Sequence, residues 1–297
     1  SISNYLGTDY SVVSVGRVMT CVLGMVVRRE REIREFIETP FYRILSTIGE
    51  QGQTFEGEWR AVKGSKWFES FDLYKENGFK EREKAQQVID YLTQEQPVIG
   101  QIASIEKKKE KKNPPLLFNL AELQNECSKR FKISPDETLK IAQELYEKKL
   151  TTYPRTDARV LSTAVAKEIH KNLNGLMKYE PAVLFLQEIV GFGSHKGLAK
   201  TRYVNDKQIT DHYAIIPTGQ GMSALSGLSW TSRAVYDVIV RRFLSIFYPA
   251  AVYQKVAITT KVKEESFFAS FKVLAEPGYL KVVGCLLYTS DAADDRI

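Results

Sequence analysis

Several features that announce a protein class are missing from this sequence. Its three cysteines, Cys21, Cys127 and Cys285, stand isolated and in no CxxC pair, so neither a disulfide framework nor a zinc ribbon is supported. No apolar run approaches the roughly 20 residues that a membrane span needs. The first ten residues, SISNYLGTDY, lack the basic-then-apolar order of a secretion signal. The cytoplasm is therefore the expected compartment, and no membrane partner is expected. No GxxxxGK[ST] phosphate loop occurs, so nothing points to a bound nucleotide. No Asp-x-Asp occurs either, a short-spaced aspartate pair of the kind that holds a hard divalent ion. No internal repeat is visible.

What is present is a chain of 297 residues, 43% hydrophobic and 26% charged, enough to bury one core and room for more. Its net charge of +6 suits a polyanionic partner without specifying one. Residues 14–37 place Val18, Val22, Met25, Val26 and Ile33 at helical spacing, and Pro40 follows as a stop. The segments FYRILSTI and FEGEWRAV predict strands, EREKAQQVIDYL a helix ending at Leu92, and PVIGQIASIEKKK another strand. The lysine-rich EKKKEKKNPP that follows reads as a solvated boundary, closed by Pro114 and Pro115.

Beyond that boundary lie clear helix signals. Asn119 with Glu122 forms a capping box, with Leu120, Leu123, Cys127 and Phe131 on one side. Ser134-Pro135-Asp136-Glu137 sets an N-cap, a proline at the first helical position and an acid at the third. This second helix is expected to turn Leu139, Ala142, Leu145 and Tyr146 inward and to end at Lys148-Lys149. A third begins near Ser162. Residues 201–220 read as a loop-rich return, Thr231 to Phe247 as an amphipathic helix, and VYQKVAITTKVK with SFFASFKVLA as an antiparallel pair.

The stretch KKLTTYPRTDAR sits in the link between two of these helices. Pro154 drives Tyr153 toward an extended conformation, which puts Tyr153 and Arg155 on one face. A phenol beside a guanidinium suits attack on a phosphodiester whose oxygens the arginine holds. With an ordinary pKa of about 10, tyrosine needs positive charge or a base nearby to act as a nucleophile. Asp157 is placed to orient that arginine or to cap a helix. Local chemistry alone leaves open a packed aromatic beside a surface salt bridge.

Four stretches, in order, resemble type IA DNA topoisomerases of the topoisomerase III branch. LTTYPRTDARVLS is similar to the family's nucleophile segment, Tyr-x-Arg-Thr-Asp-Ser. SVGRVMTCVLGMVVRRERE resembles its Ser-x-Gly-Arg-Val-Gln-Thr-Pro helix. PPLLFNLAELQNECSKRFKISPDETLKIAQELYEKKL resembles the helical lead-in, and RYVNDKQITDHYAIIPTGQ the Asp-His-His-Ala-Ile-Ile-Pro-Thr segment. The resemblance covers roughly residues 10–283. It implies Tyr153 as the nucleophile that becomes joined to a 5′ phosphate, Arg155 as the residue positioning that phosphate, and His212 beside it. It further implies Arg17, Thr156 and Asp157 as DNA contacts. Met19, Cys21, Ala158 and Tyr213 depart from the pattern, which puts some local DNA contacts in question but touches neither nucleophile nor arginine.

The fold so implied is multidomain α+β, part of the family's toroid with a helical gate domain and a β-rich arch. Residues 1–40 would belong to the base, 41–113 and 219–284 to the two passes of the arch, and 114–218 to the gate carrying Tyr153. Residues 285–297, CLLYTSDAADDRI, break from the preceding pattern and read as a non-native tail. The implied activity is ATP-independent breakage, passage and resealing of single-stranded DNA by a monomer on the bacterial nucleoid. Mg2+ would be held by an acidic Toprim domain that these residues do not contain, so no metal ligand is expected here. The chain then reads as a partial enzyme, inactive by itself. The alternative is a non-catalytic module that binds single-stranded nucleic acid through its basic face, with salt-sensitive affinity and no covalent adduct.

Overall fold

The computed structural model describes residues 16–50 and 52–284. The described residues divide into two compact units, one formed by those up to 104 with 258–269 and the other by 105–257 with those from 270 onward. The tail from Cys285 onward, predicted to be foreign to the fold, lies outside the described residues.

In the first unit, α1 (Arg17–Arg34) follows the predicted periodicity. It keeps Val18, Met19, Val22 and Met25 exposed, and the ion pairs Arg29–Glu32 and Arg34–Glu30 run along its polar end. The predicted strands appear as an antiparallel hairpin, β1 (Leu45–Glu50) and β2 (Gln53–Arg60), in register from Leu45 opposite Glu58 to Glu50 opposite Gln53. A short pair, β3 (Leu73–Lys75) and β4 (Gly78–Phe79), precedes α2 (Arg82–Leu92). Their core forms around Trp59, fully buried and stacked on Phe79 with ring centroids 5.1 Å apart. Ile44, Val88 and Leu92 close it, each such side chain contributing about 1.5–3 kcal/mol on full burial.

One buried carboxylate organises this core. Glu265 accepts hydrogen bonds from Trp59 Nε1 at 2.6 Å, Ser65 Oγ at 2.7 Å and the Lys66 amide at 2.8 Å. It opens β7 (Glu265–Glu276), which pairs with β2 at Glu58 opposite Phe268 and Arg60 opposite Ser266. With β6 (Ala251–Val262) and β5 (Gln101–Lys112), the strand order is β1-β2-β7-β6-β5.

The lysine run departs from its reading as an unstructured boundary: Glu106 to Lys112 continues β5 as a strand. It forms a sheet edge, with every β5 residue exposed, and charged side chains suit a position that must not recruit a further strand. Lys272 Nζ reaches Glu110 at 2.9 Å from β7.

The second unit is helical. α3 (Leu120–Phe131) and α4 (Pro135–Glu147) carry the predicted caps: Asn119 Oδ1 accepts from the Glu122 amide at 2.9 Å and Ser134 Oγ from the Glu137 amide at 3.1 Å. α5 (Thr163–Leu176) is capped by Ser162. α6 (Val183–Phe192) and α7 (Trp230–Ser245) follow, and α8 (Leu280–Val283) is a single turn. Leu123 and Cys127 of α3, Ala142 and Leu145 of α4 and Val235, Ile239 and Phe243 of α7 belong to one core. Tyr146 does not join them. It stands 40% exposed at the end of α4, against the expectation that it points inward; the buried stripe instead runs through Thr138, Ile141, Ala142 and Leu145.

Candidate active site

Residues 150–161 form neither helix nor continuous strand, so their backbone groups need partners from elsewhere. They find several of them on residues 212–218. Isolated antiparallel bridges join Thr151 to Pro217 and Phe118 to Ile215. The Thr152 amide donates to Ile216 O at 3.0 Å, the Thr218 amide to Leu150 O at 3.0 Å, and the Ala214 amide to Val160 O at 3.0 Å. Two stretches far apart in sequence, TTYPRTDAR and DHYAIIPT, thus lie side by side.

The threonines flanking Tyr153 tie the two together more closely. Thr152 Oγ1 donates to Ala214 O at 3.0 Å and accepts from the Ile216 amide at 2.9 Å. Thr156 Oγ1 donates to His212 O at 2.9 Å and accepts from the Ala158 amide at 3.1 Å. A hydroxyl has one proton and two lone pairs, and each threonine uses both functions. The Leu120 amide donates to Thr156 O at 3.1 Å, and Asn119 Nδ2 to Asp157 O at 3.1 Å, so the α3 cap also holds this segment.

Glycine permits the return. Gly219 and Gly221 have φ of +77° and +69°, and a Cβ on them would stand 2.7 Å from Asn172 O and 2.2 Å from Lys148 O. Asn172 Nδ2 in turn donates to Pro217 O at 2.9 Å.

Tyr153 emerges from this frame half-buried. Its ring lies 4.4 Å from the His212 ring, tilted by 41°, and meets Tyr146 edge-on at 5.4 Å and 81°. Among the described residues its hydroxyl has no hydrogen-bond partner. His212 is exposed, and Tyr213 beside it is half-buried, with burial raising its phenol above the ordinary range. A cavity of about 360 Å3 opens here, lined among others by Tyr146, Tyr153, His212 and Tyr213.

The structure therefore brings Tyr153 and His212 together. Arg155 and Asp157 are exposed, and among the described residues neither side chain makes a hydrogen bond or ion pair. Asp157 does not hold Arg155; its backbone carbonyl is the group in use. Thr156 is 6% exposed with its hydroxyl spent inside the chain. Arg17 opens α1 in the first unit, and its side chain lies outside the described residues. Tyr146, Thr152, Gly219 and Gly221 were not named as site residues from sequence. The glycines carried a signal, the short TGQG run after Pro217, which marks a turn. Chemically, the arrangement offers a fixed phenol, an imidazole able to donate to an anion when protonated, and a guanidinium free to bind one.

A family model described as DNA topoisomerase matches residues 1–296. The chain is 34% identical over 286 residues to DNA topoisomerase 3 of Bacillus subtilis (strain 168), covering 95% of this chain and 36% of that protein. It is 32% identical over 291 residues to DNA topoisomerase 3 of Bacillus cereus (strain ATCC 14579), covering 94% and 36%. It thus spans about a third of the length of these curated relatives. Among solved structures, full-length topoisomerase I from Thermotoga maritima superposes with a TM-score of 0.59 at 22% identity, over 92% of this chain and 40% of that one. That likeness shows the fold: a partial α+β topoisomerase architecture.

Proposed function

The chain belongs to the DNA topoisomerase family, and from that premise we propose that it carries the strand-cleaving tyrosine of a type IA, topoisomerase III-like enzyme. The Tyr153 phenol oxygen attacks the phosphorus of a single-stranded DNA phosphodiester. The phosphorus–oxygen bond to the upstream sugar breaks, its 3′ oxygen leaves and takes a proton, and the downstream strand stays joined through a 5′-phosphotyrosine. After another strand has passed, the 3′ hydroxyl attacks the same phosphorus and Tyr153 leaves. One phosphoester replaces another in each direction, so no nucleotide need be hydrolysed.

The observation that carries this reading is the pairing of Tyr153 with His212 at 4.4 Å, on segments held together by threonine hydroxyls. His212, when protonated, donates to a non-bridging phosphate oxygen. Arg155, with no partner among the described residues, takes the other through its planar fork. Arg17 and Asp157 border the strand, and Thr156 acts there through the His212 backbone. The gate is residues 114–218, and the arch is 41–113 with 219–284. The intact enzyme works as a monomer on bacterial DNA in the cytoplasm. None of the helices among the described residues is long and apolar enough to cross a membrane.

Relatives of this kind are expected to use Mg2+ supplied by an acidic domain. Among the described residues no three His, Cys, Asp or Glu side chains gather closely enough to hold a metal ion, so these residues do not fit it. The test is covalent trapping. A full-length version is incubated with a labelled single-stranded oligonucleotide and quenched with detergent, which should leave a protein–DNA adduct that Tyr153→Phe abolishes. Relaxation of supercoiled DNA by the Tyr153→Phe protein would refute the assignment, and salt-sensitive binding with no adduct would mark the chain as a binding module.

A further inference from the structure

The cavity beside Tyr153 contains more than a nucleophile needs. At about 360 Å3 it falls near the lower end of the range for small-molecule sites, about 300–1,000 Å3. Thr151 lines it, is only 2% exposed, and has a buried hydroxyl with no partner among the described residues. A buried orphan hydroxyl in a native fold calls for a ligand or a water. Gln220 also lines the cavity; its backbone amide donates to Thr218 Oγ1 at 3.0 Å, and its side-chain amide has no partner among the described residues. The walls are aromatic, with Tyr146 exposed at the rim and Tyr213 half-buried within. Lys149, exposed on the same rim, makes no ion pair among the described residues.

Aromatic faces combined with an unused amide and hydroxyl are how proteins hold an unpaired base: stacking on the ring, hydrogen bonds to its edge, a cation for the phosphate. A phosphate alone has no use for the aromatic walls. We propose that this cavity takes the nucleobase of a strand nucleotide neighbouring the cleaved phosphate, stacked on Tyr146 and read at its edge by Gln220. The proposal rests on Tyr153 as nucleophile only for which nucleotide is taken. Tyr146 then has two tasks, setting the Tyr153 ring edge-on and presenting its own exposed surface to the base.

The experiment measures anisotropy of this chain with short fluorescent single-stranded oligonucleotides at low salt, an abasic residue being stepped along the strand. One position is expected where losing the base weakens binding about 5- to 100-fold, the range of a single stacked base. Tyr146→Ala should lower binding of the intact strand to that of the abasic one and leave the abasic strand unaffected. Tyr146→Phe should preserve the positional profile, and Gln220→Ala should flatten the preference among bases at that position. Tyr146 and Gln220 are both exposed, so these variants fold, and thermal melts check that. A flat abasic profile, or Tyr146→Ala weakening intact and abasic strands alike, overturns the proposal. Competition by free deoxynucleoside monophosphates at concentrations matching the strand would assign the cavity to free nucleotide and overturn it too. An unchanged positional profile in a protein that forms no covalent adduct would sink the Tyr153 reading and keep the pocket; an adduct with a flat profile does the reverse.

Discussion

Thr156→Val tests the frame that sets Tyr153 against His212. Valine matches threonine in shape, so the change deletes one hydroxyl and little else. That hydroxyl donates to His212 O at 2.9 Å and accepts from the Ala158 amide at 3.1 Å, from a side chain only 6% exposed. Two hydrogen bonds of ordinary net worth contribute about 0.5–1.5 kcal/mol each, and a buried donor left unpaired costs about 1–3 kcal/mol. His212 is exposed, so water can reach its carbonyl once released, whereas Ala158 is buried and its amide carries the larger cost. The expected loss is therefore about 2–3 kcal/mol. At about 2–4 °C per kcal/mol for a unit of this size, the melting temperature should fall by roughly 4–12 °C. Calorimetry on this chain reads it directly. Thr156→Ser keeps both hydrogen bonds and should lose less than about 1 kcal/mol. NMR of labelled tyrosine rings should show the Tyr153 signals shifting in Thr156→Val as the histidine ring moves, and staying in place in Thr156→Ser. If valine melts with the wild type, or serine does as much damage as valine, the hydroxyl is not the tie described here.

Glu265→Leu should cost about 3 kcal/mol or more, because Trp59, Ser65 and Lys66 lose a shared buried acceptor, and Trp59 fluorescence should report the disturbed core; unchanged stability and emission would contradict this. Gly221→Ala places a Cβ at a φ of +69°, 2.2 Å from Lys148 O, and should destabilise the helical unit by at least about 2 kcal/mol, with urea unfolding as the check. Burial pushes the Cys127 thiol up to about 11, with Glu126 adding to the rise and Thr138 and Arg130 opposing it. A proton held more tightly in the folded state gives stability that is whole below the unfolded thiol value of about 8.5 and is lost as pH rises through the folded one. Wild type should therefore lose about 2–3 kcal/mol more than Cys127→Ala between pH 8.5 and pH 11, and parallel urea curves would contradict it. At pH 8 a thiol reagent should label exposed Cys21 quickly and buried Cys127 only on unfolding.

Local signals were legible wherever one residue sufficed to set a backbone. Asn119, Ser134 and Pro135 fix helix starts by their own chemistry, and the structure keeps all three in those positions. The hairpin strands were legible because alternation survives wherever one face is buried. The lysine run was misread because charge density reports solvent exposure, and an edge strand is as exposed as a loop. Tyr146 was misread because helical spacing places it beside the buried stripe of Ala142 and Leu145, while its ring instead meets Tyr153, on chain beyond the helix. Glu265 was invisible for a related reason: a lone acid between strands looks like a surface residue until three donors from elsewhere converge on it. Of the candidate site, Tyr153 and His212 were readable as residue types in a motif. The hydroxyl ties between them were not, because they join residue pairs whose proximity the sequence order hides.

Those ties also explain how Tyr153 can be held in one place on irregular chain. A chemical group must be held to within about 0.5 Å of its working geometry, and helices or strands usually supply that rigidity through repeating backbone bonds. Residues 150–161 have no such repeat. Thr152 and Thr156 substitute for it: Thr152 both donates to and accepts from the return 212–216, while Thr156 donates to His212 O and accepts from the Ala158 amide of its own segment. Asn119 anchors the far end to a helix cap. Every member of that network lies in the helical unit. The 4.4 Å spacing of phenol and imidazole is therefore set by contacts inside that unit alone. A frame made of side chains costs more sequence than one made of backbone, and it explains why threonine stands on both sides of Tyr153.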